Sequence, residues 1–336
     1  MVSRLVALVR FVVVAAFLVV IGWPQLFGLQ RAAGLAQIVS LRGICFAVGI
    51  ALVIALTLVA LISRGLRRLV SGIALLVFGF SILTLALLST RGLGNASFQT
   101  KAPSDLTVLS WNTLGDAPGA STIAQLAIST DADIVVLPET SAATAKSVAD
   151  KLNAAGHPVQ RLELALDQVS KARTTSLLIS TRLGAYVRDT SVGTTPALPS
   201  VVAVPADGTG PTIVAAHPVS PVPGEMSNWR AGLDWLAKRC AGSNVILAGD
   251  LNSTLDHHAG LGVDGGQLGR CHDAARATGN AAVGTWPTDL PSFLGAPIDH
   301  VYATSGWRIV GFRVIGSMDA AGSDHRPILA QLRPER

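Results

Sequence analysis

The first hundred residues contain no Asp or Glu, and this absence constrains the chain more than any other feature. Three apolar runs occupy that stretch, Phe11 to Leu29, Ile44 to Ile62 and Leu69 to Leu88, each close to the roughly 20 residues a helix needs to cross a bilayer. They are read as three transmembrane helices. The alternative for the first run is a cleaved signal peptide, because Arg4 and Arg10 precede it, yet no small-x-small cleavage site follows Trp23-Pro24. Loops that stay in the cytoplasm keep Lys and Arg, so the "SRGLRR" turn with Arg64, Arg67 and Arg68 is placed inside, together with Arg4 and Arg10. Arg31, Arg42, Arg91 and Lys101 then lie outside, and three crossings put the rest of the chain on the extracytoplasmic side of the cell membrane.

Charge divides the chain the same way. Eight of the 26 basic residues precede Lys101, leaving 18 against all 21 acidic residues, a formal charge of −3 for the remainder. The basic overall balance therefore belongs to the membrane segment and does not argue for a broad nucleic-acid-binding surface. Of three cysteines, Cys45 lies in the second apolar run, while Cys240 and Cys271 lie in the later part. A bridge between those two would contribute about 3–4 kcal/mol and would persist only outside the reducing cytoplasm. The other reading is two separate buried thiols.

The small, polar "TRGLGNASFQTKAPS" reads as a linker leaving the membrane. The expected organisation is a membrane anchor over residues 1–90, a linker over 91–104 and one catalytic domain over 105–336. In that domain β-rich runs alternate with helical ones: "LTVLSWN", "DIVVLPE", "TSLLIST", "SVVAVPA", "TIVAAHP", "NVILAGD", "IDHVYAT", "WRIVGFRVIG" and "RPILAQL" as strands, with "ASTIAQLAIST", "SAATAKSVADKLNAAG" and "NWRAGLDWLAKRC" as helices. The class is α/β (α+β). Several apolar strands end in a polar residue, Asn112, Glu139, His217 and Asp250, and strand ends on one edge of a sheet converge on one pocket.

Each of these residues has a chemical and a structural reading. Asp250 and Asn252, two apart in an extended segment, point to one side; the carboxylate can take a proton from water and the amide can donate to a phosphate oxygen, or the pair is simply an Asx-turn. Glu139 follows a mostly apolar strand, where an unpaired carboxylate is costly and calls for a cation, or it caps the next helix. Carboxylate and amide oxygens are the hard donors that suit Mg²⁺ or Mn²⁺ rather than zinc. Asp324 and His325, neighbours before an extended "RPILAQL", face opposite ways. Asp299 from another strand is the natural group to orient His325 and favour its cation, the alternative being a turn with a surface His. His257 and His258 read as exposed loop residues, His300 as structural, Trp229 and Trp235 as core on at least one count, and Trp286 as either a cleft-lining or a packing residue.

Taken in order, "SWNT", "LPET", "AAHPVSP", "GDLNST", "TWP", "IDHVYAT" and "SDHRPI" resemble the endonuclease/exonuclease/phosphatase superfamily with its deoxyribonuclease I-like fold, in a membrane-anchored, bacterial-type member. The resemblance runs from about Leu106 to Leu332, and "GDLN" followed by "SDHRP" is its specific part. It implies a four-layered sandwich of two mixed β-sheets flanked by helices, with the site at one end. It also implies Glu139, Asn112 and Asp324 as the metal group, and Asp250 as the residue that positions or deprotonates the attacking water. Asn252, Asn112 and His217 would bind the phosphate, and His325, oriented by Asp299, would act as general base or phosphate clamp. The implied reaction is in-line attack of water on a phosphodiester, nuclease-like, with a sphingomyelinase-like lipid or inositol-phosphate activity as the alternative and a non-catalytic tethered binding module as a third reading. The partners implied are a phosphoester substrate (nucleic acid, lipid headgroup or small phosphate ester) and the lipid bilayer, and no segment calls for an obligate protein partner. Two departures stand out: Leu114 replaces the acid that abasic-site nucleases carry two residues after the first Asn, with Asp116 as the nearest substitute, and His217 has no evident carboxylate partner.

Overall fold

The computed structural model describes residues 2–95 and 97–335 and divides into two compact units between Arg91 and Gly92. The first unit is helical: α1 (Val2–Gly22), α2 (Leu35–Ser40), α3 (Arg42–Ile62) and α4 (Arg67–Arg91). The side chains of residues 2–4 and 7 lie outside the described set, and with them that of Arg4 in the orientation argument.

Among the described residues, α3 and α4 are long and apolar enough to cross a membrane, whereas the apolar part of α1, Leu8–Gly22, is shorter. The expected third crossing is therefore not supported. The run read as continuing to Leu29 breaks at Gly22, where Pro24–Phe27 forms a 3-10 turn closed by Gly28 at φ +66°. Proline suits the start of such a turn, and glycine supplies the left-handed residue that ends it. Along α4 the buried residues Val70, Ala74, Val77, Ser81, Thr84 and Leu88 recur at three- and four-residue steps, a seam against neighbouring helices. Its hydroxyls are satisfied inside the helix, Ser81 Oγ donating to Val77 O at 2.9 Å and Thr84 Oγ1 to Phe80 O at 2.9 Å, as apolar surroundings require.

The second unit is a sandwich. Its strands are β1 (Leu106–Ser110), β2 (Ile134–Pro138), β3 (Val159–Ala165), β4 (Thr174–Ser180), β5 (Tyr186–Arg188), β6 (Val201–Pro205), β7 (Thr212–Ala216), β8 (Val245–Asp250), β9 (His272–Asp273), β10 (Asp299–Ala303), β11 (Trp307–Val314) and β12 (Ile328–Pro334). They form two six-stranded mixed sheets, ordered β11-β12-β1-β2-β4-β3 and β5-β6-β7-β8-β10-β9. The helices are α5 (Gly119–Ser129), α6 (Ala142–Ala154), α7 (Met226–Arg239), α8 (Leu255–His258) and α9 (Ala274–Ala277).

Alternation along β1 explains the layering. Val108 packs inward with Ile134, Ile179, Ile246 and Val301 between the sheets, while its neighbour Leu109 packs outward with Ile123 of α5 and Val148 of α6. Both faces of the strand are covered, so it reads as a continuous apolar run, and each fully buried aliphatic chain contributes about 1.5–3 kcal/mol. The strand β3 is missing from the sequence reading. It lies at a sheet edge, where Arg161 and Glu163 interrupt the apolar pattern as edge strands commonly require.

Within the segment read as a linker over 91–104, Gly92, Asn95 and Gln99 bond to the sandwich. Ala282 N donates to Gly92 O at 3.0 Å and Gln99 N to Val310 O at 3.0 Å, and Asn95 N donates to Asn280 Oδ1 at 2.8 Å. Cys240 and Cys271 form a disulfide with Cα atoms 5.6 Å apart. It ties the end of α7 to the residue just before β9.

Candidate active site

Strand direction decides where side chains converge. β1 runs parallel to β2, and β7 parallel to β8, so Asn112, Glu139, His217 and Asp250 all leave strand ends on the same edge. β10 and β12 run antiparallel to β8 and β1, with Asp299 opposite Asp250 and Ile328 opposite Ser110. Their first residues, and the 321–327 segment before β12, therefore reach that edge from the other direction.

The polar groups meet there. Asn112 Nδ2 donates to Glu139 Oε1 and to Asp250 Oδ2, each at 3.0 Å, which joins the two sheets through one amide. His325 Nδ1 lies 2.9 Å from Asp299 Oδ2, while its Nε2 faces Asp250 Oδ2 at 3.7 Å and Asp324 Oδ1 at 4.0 Å. His217 Nε2 stands 3.7 Å from Glu139 Oε1, an ion-pair distance rather than a hydrogen bond. That supplies the carboxylate neighbour the sequence left unidentified. Both ring nitrogens of His217 are buried without a hydrogen-bond partner among the described residues, as are Asp299 Oδ1 and Asp324 Oδ1. Orphaned buried polar atoms are rare and call for a ligand or a role.

Backbone geometry corrects part of the sequence reading. Asp250 and Asn252 do not lie on one extended segment: Asn252 has φ +46°, and its N–H donates to Asp250 Oδ1 at 2.8 Å. The Asx-turn and the functional convergence are thus one structure. Both N–H groups of the Asn252 amide are engaged, with Pro218 O at 3.0 Å and Asp250 Oδ2 at 3.2 Å. Glu139 is also held at positive φ, +56°, a conformation that costs a side-chain-bearing residue about 1–3 kcal/mol and clusters at functional sites. Asp324 and His325 precede β12 in an irregular segment, not an extended one. They still serve separate partners, since Asp324 Oδ2 accepts from Trp286 Nε1 at 2.9 Å.

The electrostatics follow from burial and neighbours. Burial alone would raise the Glu139 pKa, but His217, Asn112 and His325 hold it below its ordinary value. For Asp250, burial outweighs the attraction of His325, and Asp299 adds to the rise, so its pKa is lifted. Burial would lower His325, yet the carboxylates of Asp299 and Asp250 raise it above the ordinary histidine value. The site thus pairs a more basic carboxylate with a stabilised imidazolium.

Of the remaining expectations, those for His257 and His258 change, whereas His300 and Trp229 are structural as expected. His257 and His258 are buried on the one-turn α8, and His258 bridges Ser253 Oγ at 2.8 Å and Tyr302 OH at 2.7 Å. Adjacent residues on one turn of helix diverge, so both fit the core without chelating together. Asp116 does not replace the missing acid, because Ser141 N at 2.8 Å and Lys171 Nζ at 3.0 Å occupy its carboxylate. His300 turns from Asp299 to Asp273 at 2.7 Å and Ser253 O at 2.9 Å. Trp229 is fully buried and donates to Asn252 O at 3.0 Å. Sequence reasoning missed Trp111, whose Nε1 donates to His325 O at 2.9 Å, and Thr285, whose Oγ1 accepts from Asp299 N at 3.1 Å. Only the position of Trp111 beside Asn112 signalled a role.

The profile described as the Endonuclease/Exonuclease/phosphatase family matches residues 109–325, more than half of the chain and a span holding every site residue above. The chain belongs to the endonuclease/exonuclease/phosphatase family. Members are phosphoester hydrolases that depend on a divalent metal. Solved structures share the fold. An endonuclease/exonuclease/phosphatase from Beutenbergia cavernae superposes with a TM-score of 0.53 at 19% identity, covering 69% of this chain and 72% of that one. TDP2 of D. rerio complexed with single-strand DNA product gives 0.52 at 18%, covering 68% and 99%, and the AP endonuclease LMAP of Leishmania major gives 0.50 at 14%, covering 75% and 98%. At these identities the likeness is one of fold. No curated protein sequence matches the chain.

The family's metal suits the residues present. Four carboxylates, Glu139, Asp250, Asp299 and Asp324, face two imidazoles, His217 and His325, so excess negative charge remains even with both rings protonated. Two carboxylate oxygens lack hydrogen-bond partners among the described residues, and the donors are hard oxygens. Asp250, Asp299 and His325 also bring ligand atoms within 4.8 Å of one another.

Proposed function

We propose that this protein is a membrane-anchored, extracytoplasmic phosphodiesterase that directs water in line at a phosphoester with the help of Mg²⁺ or Mn²⁺. The observation that carries the reading is the buried Asp299–His325 contact at 2.9 Å, in which His325 reaches Asp250 and Asp299 from the opposite sheet. Glu139 and Asp324 would hold the metal, with Asn112 contributing its Oδ1. The bound ion supplies positive charge that offsets the charge developing on the phosphate oxygens.

The chain's own groups do the remaining work. Asp250, made more basic by burial, orients and deprotonates the attacking water. Asp299 fixes the Nδ1 proton of His325, so the ring stays an imidazolium and clamps a phosphate oxygen through Nε2–H; its raised pKa favours the clamp over the general base. The unpartnered ring of His217 donates to the phosphate from the other side. Asn112 and Asn252, with their N–H groups committed to carboxylates, orient those carboxylates before they contact substrate.

The disulfide carries the placement of the domain, since such bridges form in oxidising compartments. α3 and α4 provide the membrane anchor. A lipid headgroup or small phosphate ester is favoured as substrate over long nucleic acid by the charges of the loops at this end. Those loops bear Asp116, Asp167, Asp189, Glu225, Asp289 and Asp319 besides the site carboxylates, against Lys171, Arg173 and Arg326. Lys171 is paired with Asp116 at 3.0 Å and Arg326 with Asp319 at 2.7 Å. A polyanion gains most of its affinity from basic contacts, and this end offers few.

The test is turnover by the full chain in detergent or vesicles, with Mg²⁺ or Mn²⁺, on an aryl phosphodiester, a DNA oligonucleotide, sphingomyelin and phosphoinositides. Metal-dependent turnover lost in Asp250→Ala and His325→Ala supports the reading. Turnover on none of them, or turnover that survives both substitutions, overturns it. Oligonucleotide turnover far above the rest, weakening steeply with salt, would reverse the substrate preference.

A further inference from the structure

The loop from Gly284 to Leu290 has no regular secondary structure, yet it holds two parts of the site. Trp286 Nε1 donates to Asp324 Oδ2 at 2.9 Å, and Thr285 Oγ1 accepts from Ile298 N and Asp299 N, each at 3.1 Å. Thr288 adds two bonds to the strand-end segment, N to Asp324 O at 3.0 Å and Oγ1 to Ser323 O at 3.1 Å. Irregular backbone at this depth must have its polar groups satisfied from somewhere.

Four of the loop's carbonyls meet a single side chain. Arg326, buried and adjacent to His325, donates from Nη1 to Gly284 O at 3.3 Å and Pro287 O at 3.2 Å, and from Nη2 to Thr288 O at 3.2 Å and Leu290 O at 2.8 Å. Its other edge meets Asp319 through Nε–Oδ1 at 2.8 Å and Nη2–Oδ2 at 2.7 Å, and its backbone N donates to Thr285 O at 2.8 Å. Four carbonyls of one loop and a carboxylate of another are thus tied to the residue that follows His325. A planar guanidinium with five donors in a fixed fork can span these six acceptor contacts, one Nη2–H being shared between two oxygens; a lysine ammonium with three donors at one point cannot.

We propose that Arg326 is a positioning residue of the active site, fixing the 284–290 loop so that Trp286 presents Asp324 and Thr285 presents Asp299. It touches neither substrate nor metal in this account and acts through the loop. The inference rests on the phosphodiesterase reading above, and it adds a determinant that the convergence of strand ends does not contain. Partners that orient ligand groups at metal sites typically change affinity or activity about 10–100-fold when removed.

The experiment is a double-substitution cycle on the full chain with Arg326→Lys and Trp286→Phe, and Asp319→Asn as a milder variant that leaves the guanidinium in place. Three readouts are taken: kcat and KM on an aryl phosphodiester, the Mn²⁺ concentration that half-saturates thermal stabilisation, and amide hydrogen exchange of residues 284–290 without metal. Expected are a fall in kcat of about 10–100-fold in Arg326→Lys with KM little changed, weaker Mn²⁺ stabilisation, and faster exchange confined to the loop. The double variant should be no worse than the more impaired single one, because both substitutions break the same connection. Additive losses, or Arg326→Lys with wild-type kcat and exchange, overturn the proposal. If Arg326→Lys does not fold, Asp319→Asn decides by the same readouts: faster loop exchange with lower kcat supports it, and wild-type behaviour overturns it. An absence of wild-type turnover counts against the phosphodiesterase reading instead, and the exchange and Mn²⁺ readouts still decide the role of Arg326.

Discussion

The two ends of the sandwich both bury carboxylates and treat them oppositely. Away from the site, Asp105 accepts from Arg333 Nε and Nη2, each at 2.7 Å, from Gln331 Nε2 at 2.8 Å and from Ala102 N at 2.9 Å. Nothing about it is left open. At the site end Asp299 and Asp324 each keep an oxygen, and His217 two nitrogens, without a hydrogen-bond partner among the described residues. A buried charge fully compensated locks a fold, whereas one left under-compensated carries a standing cost that a ligand can relieve. The difference separates a carboxylate that holds the protein together from those proposed to act.

The sharpest way to break the contrast is to exchange the expected consequences. His325→Ala should lower kcat/KM on an aryl phosphodiester by about 10³–10⁴-fold, roughly 4–5.5 kcal/mol of transition-state stabilisation, while circular dichroism stays unchanged. Asp105→Ala should do the reverse, leaving activity per folded molecule intact and costing about 3 kcal/mol of stability, or about 6–12 °C in Tm.

Acid should reproduce part of that second effect. The Arg333 guanidinium holds the Asp105 carboxyl well below the usual carboxylate range, so its contribution is fully present above the unfolded value of about 3.9 and is lost as pH falls toward the depressed folded value. Urea midpoints measured between pH 6 and pH 2.5 should fall below about pH 4 in the wild type, and fall less in Asp105→Asn. A slope unaffected by that substitution would remove Asp105 from the account.

Metal should close the open end. Mn²⁺ at a hundredfold excess over its Kd should stabilise the chain by about 2.7 kcal/mol, chelation should abolish both the shift and turnover, and Glu139→Gln should erase the shift. Smallest of all, Asp250→Asn should leave stability unchanged or raise it by up to about 1 kcal/mol, about 2–4 °C in Tm, while removing activity, because it deletes a buried charge the fold does not need. A marked fall in Tm would mean that Asp250 is a structural carboxylate like Asp105.

Much of this was legible because periodicity and strand ends are local. The apolar runs ending at Asn112, Glu139, His217 and Asp250 identified the strands and the sheet end where those side chains converge, and the order of motifs identified the sandwich. What escaped was non-local or stereochemical. The Asx-turn at Asn252 and the positive φ of Glu139 leave no mark on hydropathy, and β3 hides behind the charges of an edge strand. His257 and His258 looked exposed because polar doublets usually are, yet hydrogen bonds to Ser253, Thr254 and Tyr302 make their burial tolerable. The role of Arg326 depends on four carbonyls some forty residues away, which no spacing rule anticipates. The third apolar crossing failed for a simpler reason, since composition counted residues that Pro24 and Gly28 remove from the helix.

One consequence of the sheet order concerns the sequence of synthesis. β12 lies between β1 and β11 and pairs Ile328 with Ser110, so a late strand fills the place beside the first one. Until it emerges, β1 has an open edge, and the segment carrying Asp324 and His325 has no anchor. A chain released before residue 328 would carry His325 without the strand that anchors it, and would expose a strand edge open to wrong pairing. Pairing of β12 with β1 therefore closes the sheet edge and anchors the segment carrying the proposed phosphate clamp in the same step.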